Sequence, residues 1–124
     1  MPYPSDRKYT KDHEWIRIAG DAGEIGITDY AQQQLGDVVY VELPDIGRKV
    51  TAGESFGSIE SVKAVSELFA PMSWEVVAVN DALKNHPEVV NSDPHGTWMI
   101  TVRLARPTDS GALLDASQYQ AHLG

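Results

Sequence analysis

The chain has 124 residues, of which 42% are hydrophobic, with no cysteine and a formal net charge of −8. This length predicts one domain, residues 1–124, large enough to bury a core. The lack of cysteine excludes disulfides and thiolate chemistry, and the negative charge argues against nucleic acid as a partner. Without a membrane-length apolar run or a signal or transit pattern, we expect a cytoplasmic protein, or a mitochondrial-matrix protein if the chain is a processed one.

β-Branched and aromatic residues between turn residues indicate seven short strands. They lie at 13–18, 24–27, 37–43, 49–51, 55–60, 75–79 and 98–104. Thr28 and Gly36 are typical caps for a helix over 29–35, and a further short helix or turn is predicted at 80–85. Segments expected to lack regular structure are a loosely held lead-in at 1–12, a loop at 91–96 and a linker at 107–111.

A C-terminal helix is predicted from its capping residues. Asp115 and Gln118 have the spacing of a capping box, and Leu114 is placed to pack against Tyr119. Many short strands, close turns and one final helix predict a compact, mainly β sandwich or barrel.

The segment 58–69 fits two structures. Its apolar residues recur with a spacing that a helix can use, and periodicity alone slightly favours that helix. A hairpin with its turn at Val62 and Lys63 is the alternative, although the turn lacks the Asn-Gly type of signal.

Lys63 is the residue for which the sequence indicates chemistry. Small residues, Ser61 and Ala64, lie beside it, and the nearest other lysines are Lys49 and Lys84. A lysine presented for modification has to be exposed at the apex of a rigid element, and small neighbours suit such an apex. The residues alone leave two interpretations open: an ordinary surface cation, or the attachment point of a covalently carried cofactor.

Other candidate sites are weaker. The Gly53-Glu-Ser-Phe-Gly57 run matches a nucleophile elbow, but that motif needs a strand–turn–helix in a parallel α/β sheet. Gly20, Gly23 and Gly26 are interpreted as turn glycines. No metal site and no catalytic residue are predicted, because no carboxylate pair stands out and the histidines lack metal-binding spacing. The histidines, expected at the surface or in loops, are His13, His86, His95 and His122.

Taken in order along nearly the whole chain, the motifs resemble the glycine cleavage H-protein family of lipoyl carriers. They are Tyr9-Thr-Lys-Asp-His-Glu-Trp15, Gly26-Ile-Thr-Asp-Tyr-Ala-Gln32, Leu35-Gly-Asp-Val-Val-Tyr-Val-Glu-Leu-Pro44, Gly53-Glu-Ser-Phe-Gly57, Glu60-Ser-Val-Lys-Ala64, Ala70-Pro71, Val89-Val-Asn91, Asp93-Pro94 and Leu113-Leu-Asp-Ala116.

The resemblance implies a flattened β-barrel or sandwich of the lipoyl/biotinyl-carrier type with short helices and a C-terminal helix. It places lipoate on Lys63 at the tip of a hairpin and so favours the hairpin over the helix. It also implies that a lipoylating enzyme reads Glu60, Ser61, Val62 and Ala64. The chain itself would catalyse no step.

The partners implied by the resemblance are three enzymes. A pyridoxal-phosphate-dependent glycine decarboxylase loads the aminomethyl group of glycine onto the arm. A tetrahydrofolate-dependent aminomethyltransferase removes it, and the FAD enzyme dihydrolipoyl dehydrogenase reoxidises the arm. Carboxylates near the hairpin would receive the loaded arm's ammonium, and Glu14 and Glu67 are the two candidates. The chain is expected to be monomeric.

Two positions depart from the family pattern. Trp74 stands where family members usually have glycine after Pro-x-Ser; it predicts either a rebuilt turn or an exposed contact residue. The run His95-Gly-Thr-Trp98 is one glycine shorter than the family's, which leaves the loop before the last strand undefined.

Three alternative functions remain open at this stage. The first alternative is an H-protein-like lipoyl carrier that serves another pathway, such as lipoate relay or sulfur oxidation. The second is a lipoyl or biotinyl domain of a larger acyl or carboxyl carrier, as in 2-oxoacid dehydrogenase complexes. A hydrolase using Ser55 is the alternative from a different class.

Overall fold

The computed structural model describes residues 3–106 and 113–123, so the predicted linker at 107–111 lies outside the described residues. The strands are β1 (Lys8–Tyr9), β2 (Glu14–Ala19), β3 (Ala22–Ile27), β4 (Val38–Glu42), β5 (Lys49–Val50), β6 (Ser55–Ser61), β7 (Val65–Phe69), β8 (Trp74–Val79) and β9 (Ile100–Leu104). The helices are α1 (Asp29–Leu35), α2 (Ala82–Asn85), α3 (Val89–Ser92) and α4 (Ala116–Leu123).

The strands form two antiparallel sheets that face each other. The larger sheet has the order β1-β2-β3-β9-β8-β5, and the smaller has the order β4-β6-β7. This is the predicted mainly β architecture, a flattened sandwich with few short helices. No helix within the described ranges is long and apolar enough to cross a membrane.

The main core lies between the sheets, where alternate residues of each strand point inward. The small sheet contributes Phe56, Ile59 and Leu68, each at most 4% exposed, and the large sheet contributes residues such as Val76 and Ile100, both fully buried. β-Branched and aromatic residues, from which the strands are predicted, suit such half-buried strands.

A second apolar cluster joins the N-terminal strand to the C-terminal helix. The rings of Tyr9 and Tyr119 stack with centroids 4.9 Å apart, beside the buried Trp15. Tyr9 also pairs with Leu114 through two backbone hydrogen bonds. The expectation of a loose lead-in over 1–12 was therefore wrong for β1, because a two-residue strand shows no periodicity but is fixed by distant aromatic partners.

Cap residues define α1 and α4 as predicted. The Thr28 hydroxyl accepts the N–H of Ala31, and Gly36 ends α1 with φ 77°. Asp115 and Gln118 each accept the other's backbone N–H, which is a capping box. The prediction of a loop at 91–96 was wrong for its first two residues, because Asn91 and Ser92 lie in the short helix α3.

Two glycines interpreted as turn residues lie inside β3. A Cβ on Gly26 would lie 2.5 Å from ring atoms of Trp15, and one on Gly23 would lie 3.3 Å from Ile16. Of the three glycines interpreted as turn residues, Gly20 alone has a positive φ, 64°. Gly26 is thus a packing glycine that makes room for the indole across the strand pair.

Trp74 is neither strained nor an exposed contact residue. It begins β8 at 2% exposure, pairs with Val50 and Leu104, and meets the Phe56 ring edge-on at 5.4 Å. Its φ is not positive; His13 is the one non-glycine residue with positive φ in the described part of the chain. The tryptophan is accommodated as a core residue.

We predict that Gly26→Ala lowers the free energy of unfolding by about 1–3 kcal/mol, because the added methyl overlaps the buried Trp15 ring. Urea unfolding measures the loss. Gly23→Ala is the matched control, since its methyl would meet Ile16 and Val102 at 3.3–3.5 Å and is expected to cost less. Equal losses in the two variants would contradict the steric explanation.

Candidate functional site

The segment around Lys63 is the turn of the hairpin formed by β6 and β7. Across this hairpin Glu60 pairs with Val65, and Ser58 pairs with Glu67. The helix favoured by periodicity is therefore wrong. Of the apolar residues that suggested it, only Ile59 in β6 and Leu68 in β7 are buried, whereas Val62 in the turn and Val65 and Phe69 in β7 are exposed.

Ser61 shapes the four-residue turn 61–64 from inside. Its N–H donates to the carbonyl of Ala64 at 2.8 Å, and its hydroxyl oxygen accepts the N–H groups of Lys63 and Ala64 at 3.3 and 3.1 Å. A serine oxygen thus supplies the local bonding that an Asn-Gly turn would obtain from backbone conformation. Ser61 is 6% exposed, so its predicted part in recognition can only act through the shape of the turn.

Lys63 itself is exposed at the apex. Among the described residues, no carboxylate lies within ion-pair distance of its amine. Its aliphatic stem lies over Gly36: a Cβ built there would be 3.4 Å from Lys63 Cε and 3.9 Å from Nζ. The amine is therefore accessible while the stem rests on the loop between α1 and β4.

That loop also bonds to the backbone of the tip. The N–H of Val62 donates to the carbonyl of Asp37 at 3.0 Å. Sequence reasoning did not find this contact, although Gly36 and Asp37 belong to one of the motifs that carry the resemblance. The turn is thus held by its own hairpin and by a second, non-local support.

The residues predicted to guide modification surround the tip. Val62 is 70% exposed, and Glu60 and Ala64 are also exposed. Because Glu60 pairs with Val65 and Val65 is two residues from Glu67, both glutamates lie on the outer face of the small sheet. This geometry leaves Glu60 and Glu67 accessible, and nothing in it assigns their function.

Glu14 is positioned differently from Glu67. It is 2% exposed, and its Oε2 accepts the N–H of Phe69 on β7 at 2.8 Å. Thr10 contacts its other oxygen at 3.4 Å. Burial raises the pKa of this carboxyl to about 8, against opposing effects of the bonds from Phe69 and Thr10.

The other sequence motifs do not assemble into a site. The Ser55 hydroxyl donates to the carbonyl of Gly57 within β6, which is no nucleophile elbow. His13 and His95 are half-buried and serve the fold: His13 bonds the Tyr119 hydroxyl at 2.7 Å, and His95 Nε2 accepts the N–H of Asp29. Within residues 3–106 and 113–123, no three acidic or histidine side chains are grouped to hold a metal.

Comparison with known proteins gives this geometry a context. The family model described as glycine cleavage H-protein matches residues 7–124. The chain belongs to the glycine cleavage H-protein family. The chain is 58% identical over 98% of its length to the glycine cleavage system H protein of Anaeromyxobacter sp. (strain K), covering 95% of that protein. It is 55% identical over 98% of its length to the one of Geobacillus kaustophilus, covering 96% of it.

A solved structure from the same family shows the same fold. The crystal structure of a glycine cleavage system H protein from Mycobacterium marinum superposes with a TM-score of 0.91 at 44% identity, covering 98% of this chain and 99% of that one. The resemblance stated from the sequence motifs is thus confirmed at the level of family and fold. The hairpin with Lys63 lies inside the matched region of the H-protein family.

We predict that Glu14→Gln flattens the pH dependence of stability. The carboxyl ionises near 4.5 when unfolded and near 8 when folded, so the folded state binds more protons between these values. The free energy of unfolding of the wild type should therefore fall as pH rises from about 5 to 8, by up to about 1.4 kcal/mol per pH unit from this group. Glutamine has no such titration.

Urea unfolding at several pH values between 5 and 8 measures this slope. Glu67→Gln is the control, because it removes one negative charge from an exposed position on the neighbouring strand. Parallel curves for wild type and Glu14→Gln would show that the buried carboxyl does not govern the slope.

Proposed function

We propose that this chain is a carrier protein of the glycine cleavage system, with lipoate joined to Lys63 through an amide. It would take the aminomethyl group of glycine from a pyridoxal-phosphate-dependent decarboxylase to a tetrahydrofolate-dependent aminomethyltransferase, and dihydrolipoyl dehydrogenase would then reoxidise it. The observation that supports this proposal is the exposed amine at the apex of the hairpin. The turn that carries it is held by the hydrogen bonds of Ser61 and by the bond from the Val62 N–H to the Asp37 carbonyl.

The residues around Lys63 fit an amide-linked arm. Amide formation removes the positive charge of the lysine, and among the described residues no salt bridge to that amine would be lost. Ala64 beside the lysine is small and exposed, and the Lys63 stem lies on the side-chain-free surface of Gly36. When attached, lipoate would supply the redox-active sulfurs that this cysteine-free chain lacks.

The chain's own residues would present and orient the lysine. Ser61 shapes the turn, and the Val62 N–H fixes it to the loop beneath. The exposed residues Glu60, Val62 and Ala64 would form the surface that the lipoylating enzyme reads. In this proposal catalysis belongs to the partner enzymes, the carrier is a monomer, and the setting is the cytoplasm.

Intact-mass analysis after incubation with a lipoate–protein ligase, lipoate and ATP tests the attachment site. We expect the wild type to gain one lipoyl group and Lys63→Arg to gain none. Lys84→Arg is the matched control, since Lys84 is also an exposed lysine and should leave the modification intact. Modification that persists in Lys63→Arg would sink the assignment.

Reconstitution separates this function from the alternatives. The lipoylated chain should support exchange between glycine carboxyl and bicarbonate with purified glycine decarboxylase. A lipoate-relay or sulfur-oxidation carrier, or a 2-oxoacid dehydrogenase domain, would become lipoylated without supporting that exchange. Membership of the H-protein family favours the glycine cleavage route.

Glu14 and Glu67 stay proposals for receiving the loaded arm. Glu14 is buried at the edge of β7, and Glu67 is exposed on that strand, two residues from the Phe69 N–H that Glu14 accepts. A cation placed beside Glu14 would favour the ionised carboxylate, which burial alone disfavours.

We predict that Glu14→Ala shortens the lifetime of the aminomethyl-loaded carrier, because the ammonium loses a carboxylate and the arm becomes more accessible to water. The rate of release to buffer, followed with labelled glycine, measures it. Glu67→Ala is the parallel variant on the exposed face. An unchanged lifetime in either variant would remove that residue from the arm site.

A further inference from the structure

Asn91, in the short helix α3, is bonded to the loop that supports the hairpin tip. Its Nδ2 donates to the carbonyl of Gly36 at 2.8 Å and to Gln32 Oε1 at 3.1 Å. Its Oδ1 accepts the N–H of Val38 at 2.8 Å. One half-buried side chain therefore fixes backbone groups on both sides of Asp37.

Asp37 lies between these two anchored residues and contacts the tip. Its carbonyl is the acceptor for the Val62 N–H at 3.0 Å. Because Asn91 bonds the backbone of both Gly36 and Val38, it restricts the direction in which the Asp37 carbonyl between them points. The Lys63 backbone comes directly after the bonded Val62.

The loop needs an external support of this kind. Gly36 has φ 77° and ψ −156°, a conformation that is sparsely populated and almost restricted to glycine. Its own N–H is already used to end α1 by donating to the carbonyl of Gln32 at 3.0 Å. The asparagine supplies the partners for two further backbone groups of this turn, the Gly36 carbonyl and the Val38 N–H.

The stem of Lys63 rests on the same residue. A Cβ on Gly36 would lie 3.4 Å from Lys63 Cε, so the position of the Gly36 backbone sets the surface on which the stem lies. The loop thus supports the tip twice, through the Val62 backbone and through the lysine side chain.

We propose that Asn91 is a positioning residue for the carrier hairpin: by clamping residues 36–38 it holds Lys63 in one presentation for the enzyme that modifies it. This inference rests on the proposed attachment of lipoate to Lys63. If only a fraction of the tips has the competent arrangement, the apparent KM of the modifying enzyme rises by the inverse of that fraction.

Amide hydrogen exchange of the unmodified protein tests the clamp itself. In Asn91→Ala, the Val62 amide should exchange about 10-fold faster than in the wild type, since losing half-buried hydrogen bonds of about 1 kcal/mol each loosens the loop. The Val76 amide, bonded to the carbonyl of Arg48 at 2.9 Å in the large sheet, is the internal reference: its exchange reports the change in global stability, from which the change at Val62 is distinguished.

Asn80→Ala is the matched control for a general loss of stability. Asn80 is also a half-buried asparagine, and its Nδ2 donates to the carbonyl of Trp98 at 2.7 Å. Its removal should leave the exchange of Val62 unchanged. Asn91→Asp is the second variant: it keeps an acceptor for the Val38 N–H but has no donor for Gly36, so it should loosen Val62 in the same direction.

A second experiment measures the rate of lipoylation by a purified lipoate–protein ligase at varied carrier concentration. Asn91→Ala and Asn91→Asp should raise KM for the carrier about 10-fold with a smaller change in kcat, and Asn80→Ala should not. Unchanged Val62 exchange or unchanged KM in both Asn91 variants would overturn the inference. A wild type that is never modified would instead overturn the proposed function, and Val62 exchange would still decide whether the clamp exists.

Discussion

The packing of the small sheet on the large one is the constraint on which the hairpin depends. A two-stranded hairpin is marginally stable by itself in water. Here β6 is paired on both sides, and Phe56, Ile59 and Leu68 are buried against the larger sheet. Because the body of the hairpin is anchored in this way, its turn can extend into solvent without losing order. The exposure of Lys63 is thus a consequence of burial elsewhere on the same strands.

Glu14 makes a second connection between the sheets. It gains a hydrogen bond from a backbone N–H, but burial disfavours its ionised form. Its carboxyl accepts the N–H of Phe69 on β7, a backbone donor that would otherwise need another partner in a half-buried place. Burying an acid opposes ionisation, which is why its pKa is raised to about 8. The contact therefore joins the sheets while leaving a group whose charge is sensitive to anything that approaches it. Its position beside the strand that leaves the hairpin is what keeps it a candidate for arm docking.

Local sequence signals predicted the local features well. The caps of α1 and α4 followed from Thr28 and Asp115, because each acts within one helical turn. Features set by distant contacts were missed: Lys8–Tyr9 is a strand because of aromatic partners far along the chain, and Trp74 is buried because Phe56 lies opposite it. The hairpin itself required the family resemblance, since the apolar spacing over 58–69 alone slightly favours a helix.

The residues around the tip show why the sequence draws attention to Lys63 but not to the contacts that support it. A solitary lysine between small residues is visible in the sequence, but the bond from Val62 to Asp37 joins residues that are distant along the chain. An exposed turn that made only its own local bonds would open easily. The added support restricts the root of the Lys63 side chain, so the surface around the exposed amine keeps one arrangement. That order does not come from the local bonds of the hairpin alone, because the Asp37 carbonyl belongs to a loop whose neighbouring backbone groups are bonded to Asn91. The tip of the hairpin is therefore ordered by contacts that no local reading of the sequence could contain.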